Sequence, residues 1–312
     1  MPGMPGASVV IVNYRTVELT LSATVSALTA GADEVIVVDN ASGDDVDAAV
    51  SAISDNRARV IVNDANVGFG SAANRGASVA TGDVLIFLNS DAQLNASALE
   101  ALRAELQRWN GSALVGPRLI DPIERVQRSV GLLPEPFDLA VRALGLHRVA
   151  SWVGNVPLFA RLVRRTRVAN EYAAAVTASE PMNTTMVSGA CFAIGRDVFG
   201  RIAGFDQRFF MYFEDADLCR RVAAAGMPIR YVPSAVVRHV GGASSSEDYH
   251  FGALHARSMR QYLAKWYGMR GSVLAIVLLW LRAIGFSLAL QPGAGRAWRA
   301  LGTAIRDEDP RR

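Results

Sequence analysis

The chain has 312 residues, of which 51% are hydrophobic and 20% charged, and its formal net charge is +3. That balance excludes a disordered chain and gives no electrostatic reason to expect a nucleic-acid partner. Two cysteines, Cys191 and Cys219, exclude a disulfide framework or a cysteine metal centre.

The first third alternates strand and helix signals. Ser8–Asn13 is a short β-branched run, expected as a buried strand. No secretory signal is expected, because no basic region precedes this run and the run is too short. A helix over Glu18–Ala30 stops at Gly31, and a second strand, Glu34–Val38, ends in Asp39 and Asn40. Asp44–Ser54 is expected to be helical, Arg59–Val62 a third strand, and Gly70–Ala80 a helix. Val84–Leu88 is the fourth strand, ending in Asn89, Ser90 and Asp91, and Ala96–Arg108 is the next helix. Strands alternating with helices imply a mostly parallel, Rossmann-like sheet covered on both faces, which binds ligands at the carboxyl ends of its strands. Asn13–Tyr14, Asp39–Asn40, Asn66–Gly70 and Asn89–Asp91 all follow strands, so they are expected along one edge.

Pro134–Pro181 is irregular and carries Arg142, Arg148, Arg161, Arg164, Arg165 and Arg167 with few acids. It reads either as an insert facing an anionic surface or acceptor, or as a solvated loop. Structure resumes with a strand over Met186–Ile194 containing a close-approach glycine, a helical turn over Asp197–Ile202 and a helix over Asp215–Ala225. Two short strands, Ile229–Val232 and Ala235–Val240, follow. Ser272–Leu290 is almost wholly apolar but interrupted by Arg282. A span needs roughly 20 apolar residues, and a mid-bilayer arginine costs about 2.5–3.5 kcal/mol. The preferred expectation is a helix on or partly in the inner membrane surface, with a span or a helix packed on the domain as alternatives.

Several clusters could carry chemistry. Asp91, just after an apolar strand, could hold a divalent cation that bridges diphosphate oxygens, or could cap the next helix. Asp39 could accept a hydrogen bond from a base or ribose, or form an Asx turn. Gly68–Ala73 loosely satisfies a dinucleotide fingerprint, but it does not follow the first strand, where that fingerprint belongs. A glycine-rich helix start suits any phosphate, and Asn74 could point back towards such a ligand. Glu214, Asp215 and Asp217 follow an aromatic run, Phe209–Phe213, which could pack against a pyranose while a carboxylate takes a proton from an attacking hydroxyl. The same acids also suit a helix N-terminus. Asp217 is expected to point away from Asp215. His239 could be a second metal or phosphate ligand, or a structural histidine.

Seven segments in this order resemble the family 2 glycosyltransferases, closest to bacterial rhamnosyltransferase-like members. They are VVIVNY (9–14), VIVVDNASGD (35–44), NVGFGSAANRG (66–76), LIFLNSDA (85–92), VSGACFAIGRDVF (187–199), GFDQRFFMYFEDADLCRRVAAAG (204–226) and YVPSAVVRHVGG (231–242). The resemblance implies a GT-A fold over residues 1–265. Within it lie a nucleotide-binding half (7–120), the basic insert (134–181) and an acceptor half (185–265). An apolar, basic helical tail (266–312), expected from its composition to associate with membrane, follows. It implies donor contacts from Asn13, Tyr14, Asp39, Asn40, Asn66, Gly68, Asn74, Asn89 and Ser90. It implies Mg²⁺ or Mn²⁺ at Asp91, with His239 approaching, although Asn89 stands where many relatives have the first aspartate of the metal element. It implies Asp215 as catalytic base with Glu214 beside it, and a single inverting displacement without a covalent intermediate.

The implied donor is a nucleotide sugar, dTDP-rhamnose or another dTDP- or UDP-sugar. The apolar C-terminal helix and the arginine-rich insert suit a membrane-surface substrate, so the expected acceptor is a glycan or polyprenyl-linked glycan, handled at the inner face of the plasma membrane during cell-envelope polysaccharide synthesis. A catalytically inactive carbohydrate-binding relative and an NAD-type oxidoreductase are the rival readings.

Overall fold

A computed structural model of the chain describes residues 6–136, 139, 174–241, 248–288 and 294–306. They divide into two compact units. The first comprises Met1–Leu133, Glu171–Gln207 and Glu214–Ser244; the second comprises Pro134–Asn170, Arg208–Phe213 and Ser245–Arg312. The six arginines of the basic insert lie outside the described residues.

The first unit opens with β1 (Ala7–Asn13), α1 (Val17–Thr29), β2 (Glu34–Asp39), α2 (Val46–Ser51), β3 (Ala58–Val62), α3 (Phe69–Val79) and β4 (Val84–Asn89). The apolar runs became strands because both faces of the sheet are covered, so alternate side chains enter two different cores. Val9, Ile11, Val35, Val37, Ile86 and Leu88 point to one side. Val10, Ile36, Val38, Leu85 and Phe87 point to the other. β1 pairs in parallel with both β2 and β4, and β2 with β3. The register sets Asn13 beside Asp39, Asp39 beside Val62 and Val12 beside Asn89. The carboxyl ends of these four strands therefore lie on one edge, as expected.

Beyond β4 come β5 (Ala92–Gln93), α4 (Ala96–Arg108), β6 (Leu114–Ile120) and β7 (Val130–Gly131). The Asn95 side chain caps α4 by accepting from Ala98 N–H at 2.8 Å. After β8 (Met182–Thr184), the single strand expected over Met186–Ile194 is instead two, β9 (Met186–Val187) and β10 (Cys191–Gly195). β9 pairs with β7 in a small separate sheet, whereas β10 runs antiparallel between β4 and β6. The break falls at Ser188, whose N–H donates to Ser129 C=O at 2.9 Å.

α5 (Arg196–Arg201) and α6 (Glu214–Ala224) lead to β11 (Ile229–His239). The two short strands expected here are one, because a register shift between Val232 and Val236 absorbs Pro233, which has no N–H to give the ladder. β11 lies parallel to β6, so His239 ends on the same edge as Asn13, Asp39 and Asn89.

In the second unit, α7 (Asp248–Leu288) contains a break at Gly268, where φ is 63° and ψ −150°. Its two arms fold back on each other: a Cβ at Gly271 would collide with the backbone of Leu263. α8 (Ala294–Arg306) packs along α7. Arg260 ties the ends together, donating to Ala304 C=O at 2.6 Å and to Ser272 Oγ at 3.0 Å. Its cation also suits the negative C-terminal end of α8.

Candidate active site

At the β1–β2 end of the edge the polar side chains hold one another. Asn13 is buried; its amide donates to Asp39 Oδ1 at 2.9 Å and accepts from Thr20 Oγ1 at 2.7 Å. Asp39 Oδ2 accepts from Ser42 N–H at 3.4 Å. Asn40 donates to Asn66 Oδ1 at 2.7 Å and accepts from Asn63 Nδ2 at 2.9 Å and from Val67 N–H at 3.1 Å. The same Asn66 oxygen accepts from Gly68 N–H at 3.1 Å. Gly68 has φ of 86°, a left-handed conformation that only glycine adopts freely, and it turns the chain into α3. Tyr14 lies under the Arg15 guanidinium, 5.3 Å from its ring centroid. Ser90 Oγ accepts from Thr16 Oγ1 at 3.1 Å.

Further along the edge, Asp91 meets the end of β11. Its Oδ2 accepts from Gly241 N–H at 3.0 Å, and its Oδ1 lies 3.3 Å from His239 Nε2. Burial would raise the Asp91 carboxyl, but the His239 hydrogen bond and charge and the Gly241 N–H outweigh it and hold the group below the usual carboxylate range. The other side of the ring is fixed by Gln127. Its Nε2 donates to His239 C=O at 2.8 Å, so its Oε1 is left to accept from Nδ1–H, also at 2.8 Å. That clamp points Nε2 at Asp91. Gln127 has no motif around it and was not among the residues expected here.

The third cluster begins α6. Asp215 is half-buried; its Oδ2 accepts from Gly189 N–H at 3.1 Å and its Oδ1 from its neighbour Ala216 N–H at 2.8 Å. Gly189 is the close-approach glycine anticipated in the sequence, and its partner is now visible: a Cβ there would sit 3.3 Å from Asp215 Cβ. Glu214 is buried, and among the described residues its Oε2 has no hydrogen-bond partner. Burial, and then the Asp215 charge, push the Glu214 carboxyl up to about 8. Burial raises Asp215 too, against the opposing pull of the Gly189 and Ala216 N–H groups.

One short loop joins the last two clusters. Asn89 N–H donates to Ala190 C=O at 2.9 Å, two residues before Asp91, while adjacent Gly189 holds Asp215. Residues far apart in sequence thus meet at one stretch of the edge. Asn74 is engaged by the chain itself. Its amide donates to Phe205 C=O and accepts from Phe205 N–H, both at 2.8 Å, so it braces the turn before α6. Asp217 is fully buried and paired with Arg221 at 2.8 Å. The aromatic run belongs to the second unit. Phe209 and Phe213 are buried there, Phe213 packing 5.2 Å from His255 and 5.3 Å from Tyr262, so these two rings are core rather than an open sugar wall. Among the described residues, no three His, Cys, Asp or Glu side chains gather as a metal site.

The family model described as glycosyl transferase family 2 matches residues 8–202. The chain belongs to this family. It is a glycosyltransferase with a GT-A fold, and a second family model, glycosyl transferase family group 2, matches residues 130–301. The glycosyltransferase is 31% identical to an N-acetylglucosaminyl-diphospho-decaprenol L-rhamnosyltransferase of Mycobacterium tuberculosis over 69% of its own length and 68% of the relative's. Its fold matches the mannosyltransferase PcManGT of Pyrobaculum calidifontis in complex with GDP-Man and Mn²⁺ (TM-score 0.55, 18% identity), covering 98% of this chain and 89% of that one. It also matches GalNAc-T7 with UDP, GalNAc and Mn²⁺ (TM-score 0.55, 17% identity), covering 77% of this chain but only 44% of that protein.

Proposed function

We propose that this glycosyltransferase moves L-rhamnose from dTDP-rhamnose to a hydroxyl of a polyprenyl-linked glycan in cell-envelope polysaccharide synthesis, with inversion at the anomeric carbon. The observation that carries the reading is the single loop at Gly189–Ala190, which joins the end of β4, two residues from Asp91, to the Asp215 carboxylate. The Mycobacterium tuberculosis relative, whose name carries both the sugar and a lipid-diphosphate acceptor, supports the choice of donor and acceptor. UDP-sugars are the alternative donors.

The donor nucleotide would lie along Asn13, Tyr14, Asp39, Asn40, Asn66 and Gly68, with Asn89 and Ser90 nearer the diphosphate. Asn74 serves by bracing the Phe205 turn instead. Asp91 and His239 fit Mg²⁺ or Mn²⁺: a carboxylate and an imidazole nitrogen already face each other at 3.3 Å, and a diphosphate supplies the oxygens such a small set leaves open. Both fold neighbours were solved with Mn²⁺, which supports this reading. A bound divalent cation offsets the negative charge that grows on the departing nucleoside diphosphate. Asp215 would accept the proton of the acceptor hydroxyl as its oxygen attacks the face opposite the leaving group. Glu214, neutral beside it, withholds a second negative charge, so Asp215 is the carboxylate available to act as base. The reaction would take place at the cytoplasmic face of the plasma membrane.

The test is a panel of dTDP- and UDP-sugars, with NAD as control, scored by nucleoside diphosphate release with and without Mg²⁺ or Mn²⁺. Metal-dependent release from dTDP-rhamnose in the presence of a polyprenyl-linked acceptor is expected. Preference for another sugar would overturn the donor, and binding of NAD without any release would overturn the whole reading.

A further inference from the structure

The second unit presents an apolar face where a soluble helix would turn polar side chains to water. In the arm of α7 that follows Gly268, Ala275, Leu278, Leu279 and Ala283 are buried, as are Ala300, Leu301 and Ala304 of α8. The outward residues are Met269, Val273, Val277, Trp280, Leu281 and Leu288, with Met269 and Leu288 exposed by 83% and 80%. Their spacing, mostly three or four residues, gathers them into one stripe about 30 Å long. α8 adds Trp298 and Ile305, both exposed. A single patch of this kind on a soluble protein marks an interaction surface.

The charge around it identifies the partner. From Tyr249 to Arg306 the chain holds no Asp or Glu, but seven arginines and Lys265. Arg270, Arg282, Arg296, Arg299 and Arg306 all fall on the segment that carries the stripe. Two copies of this surface would repel each other, which disfavours a self-interface. A spanning helix would bring Arg282 into hydrocarbon and would part the second α7 arm from α8, to which Trp298 ties it directly and Arg260 of the first arm ties it by bonding both Ser272 and Ala304. Apolar and tryptophan side chains in a field of arginine suit a helix pair lying flat in the headgroup layer of an anionic bilayer.

We propose that the outer face of the second α7 arm, with α8, docks the enzyme in the plane of an anionic phospholipid membrane. The docking deepens the proposed function and rests on its lipid-carried acceptor, which this arrangement would keep within reach of the enzyme. Val277→Glu combined with Leu281→Glu tests it, because both side chains are exposed and the fold should be retained, as a thermal melt would verify.

The wild-type protein should float with vesicles of phosphatidylcholine containing about one-third phosphatidylglycerol, at least ~10-fold more than with phosphatidylcholine alone, and less at high salt. The double variant should lose at least ~10-fold of that binding yet transfer sugar to a short-chain, water-soluble acceptor at the wild-type rate. Equal flotation of both proteins, flotation of neither, or retention of wild type through a carbonate wash would overturn the proposal. So would a wild-type dimer in lipid-free solution that the variant dissolves. Flotation as expected with no transfer by wild type to any acceptor would sustain the docking and sink the catalytic reading instead.

Discussion

Asp91 and the Glu214–Asp215 pair lie on the same edge of one sheet, yet their surroundings act on them in opposite directions. Asp91 has a backbone N–H on one oxygen and an imidazole beside the other, which hold it charged despite its burial. Glu214 has burial and a neighbouring carboxylate, which hold it neutral. Burial raises Asp215 as well, against two backbone N–H groups that favour its charged form. Groups that keep a carboxylate charged suit it for gripping a cation, and burial that raises a carboxylate suits it for handling a proton.

The largest effect should come from removing the proposed base. Asp215→Asn should fold and bind donor but transfer at least ~100-fold more slowly, the usual scale for a general base; undiminished initial rates would remove Asp215 from that role. Next is the opposite end of the contrast. Asp91→Ala should weaken donor binding by about 10–100-fold when Mg²⁺ or Mn²⁺ is present and far less without it. Calorimetry giving equal affinities in both conditions would count against Asp91 as a ligand.

A smaller loss is expected from Gln127, which touches the proposed metal site only through His239. Gln127→Ala should raise the metal concentration needed for half-maximal rate by about 10-fold, while saturating metal restores most of kcat. A purely structural role would instead lower the melting temperature without moving the metal requirement.

The smallest effect concerns Glu214 and pH. A carboxyl raised from 4.5 to about 8 in the folded state binds its proton more tightly there than in the unfolded chain. Stability from this group is therefore full at low pH and is lost as pH rises from about 4.5 towards about 8. Glu214→Gln abolishes that titration. Between about pH 5.5 and about pH 8 the variant should lose less melting temperature than wild type, by about 2–4 °C. Parallel melting curves for the two proteins would show that Glu214 is ionised throughout.

Much of the polar edge was legible in the chain because its signals are local. Each of β1 to β4 is a β-branched run ending in polar residues, and parallel pairing then carries all four ends to one side. β6, with Gly116, Pro117 and Arg118 in its middle, had no such signature and became a strand only because β10 and β11 flank it. Asn74 looked like a ligand residue for the same local reason, at the start of a glycine-rich helix. In the structure its amide is bonded to Phe205, 131 positions away. The aromatic run before Glu214 read as a sugar wall, but ring burial depends on what packs over it, and the residues over Phe213 come from α7.

Local signals in the chain were enough for the alternation of strand and helix, the family, the edge on which the polar strand ends collect and the apolar stretch over Ser272–Leu290. These follow from periodicity, composition and motif order, which neighbouring residues carry. Which groups meet was set by long-range packing: Gly241 N–H on Asp91 across 150 positions, Gln127 Oε1 accepting from His239 Nδ1–H across 112, and Gly189 N–H on Asp215. Those contacts depend on strand order and register. Both are set by burial of side chains distant in the chain, and no local pattern records them.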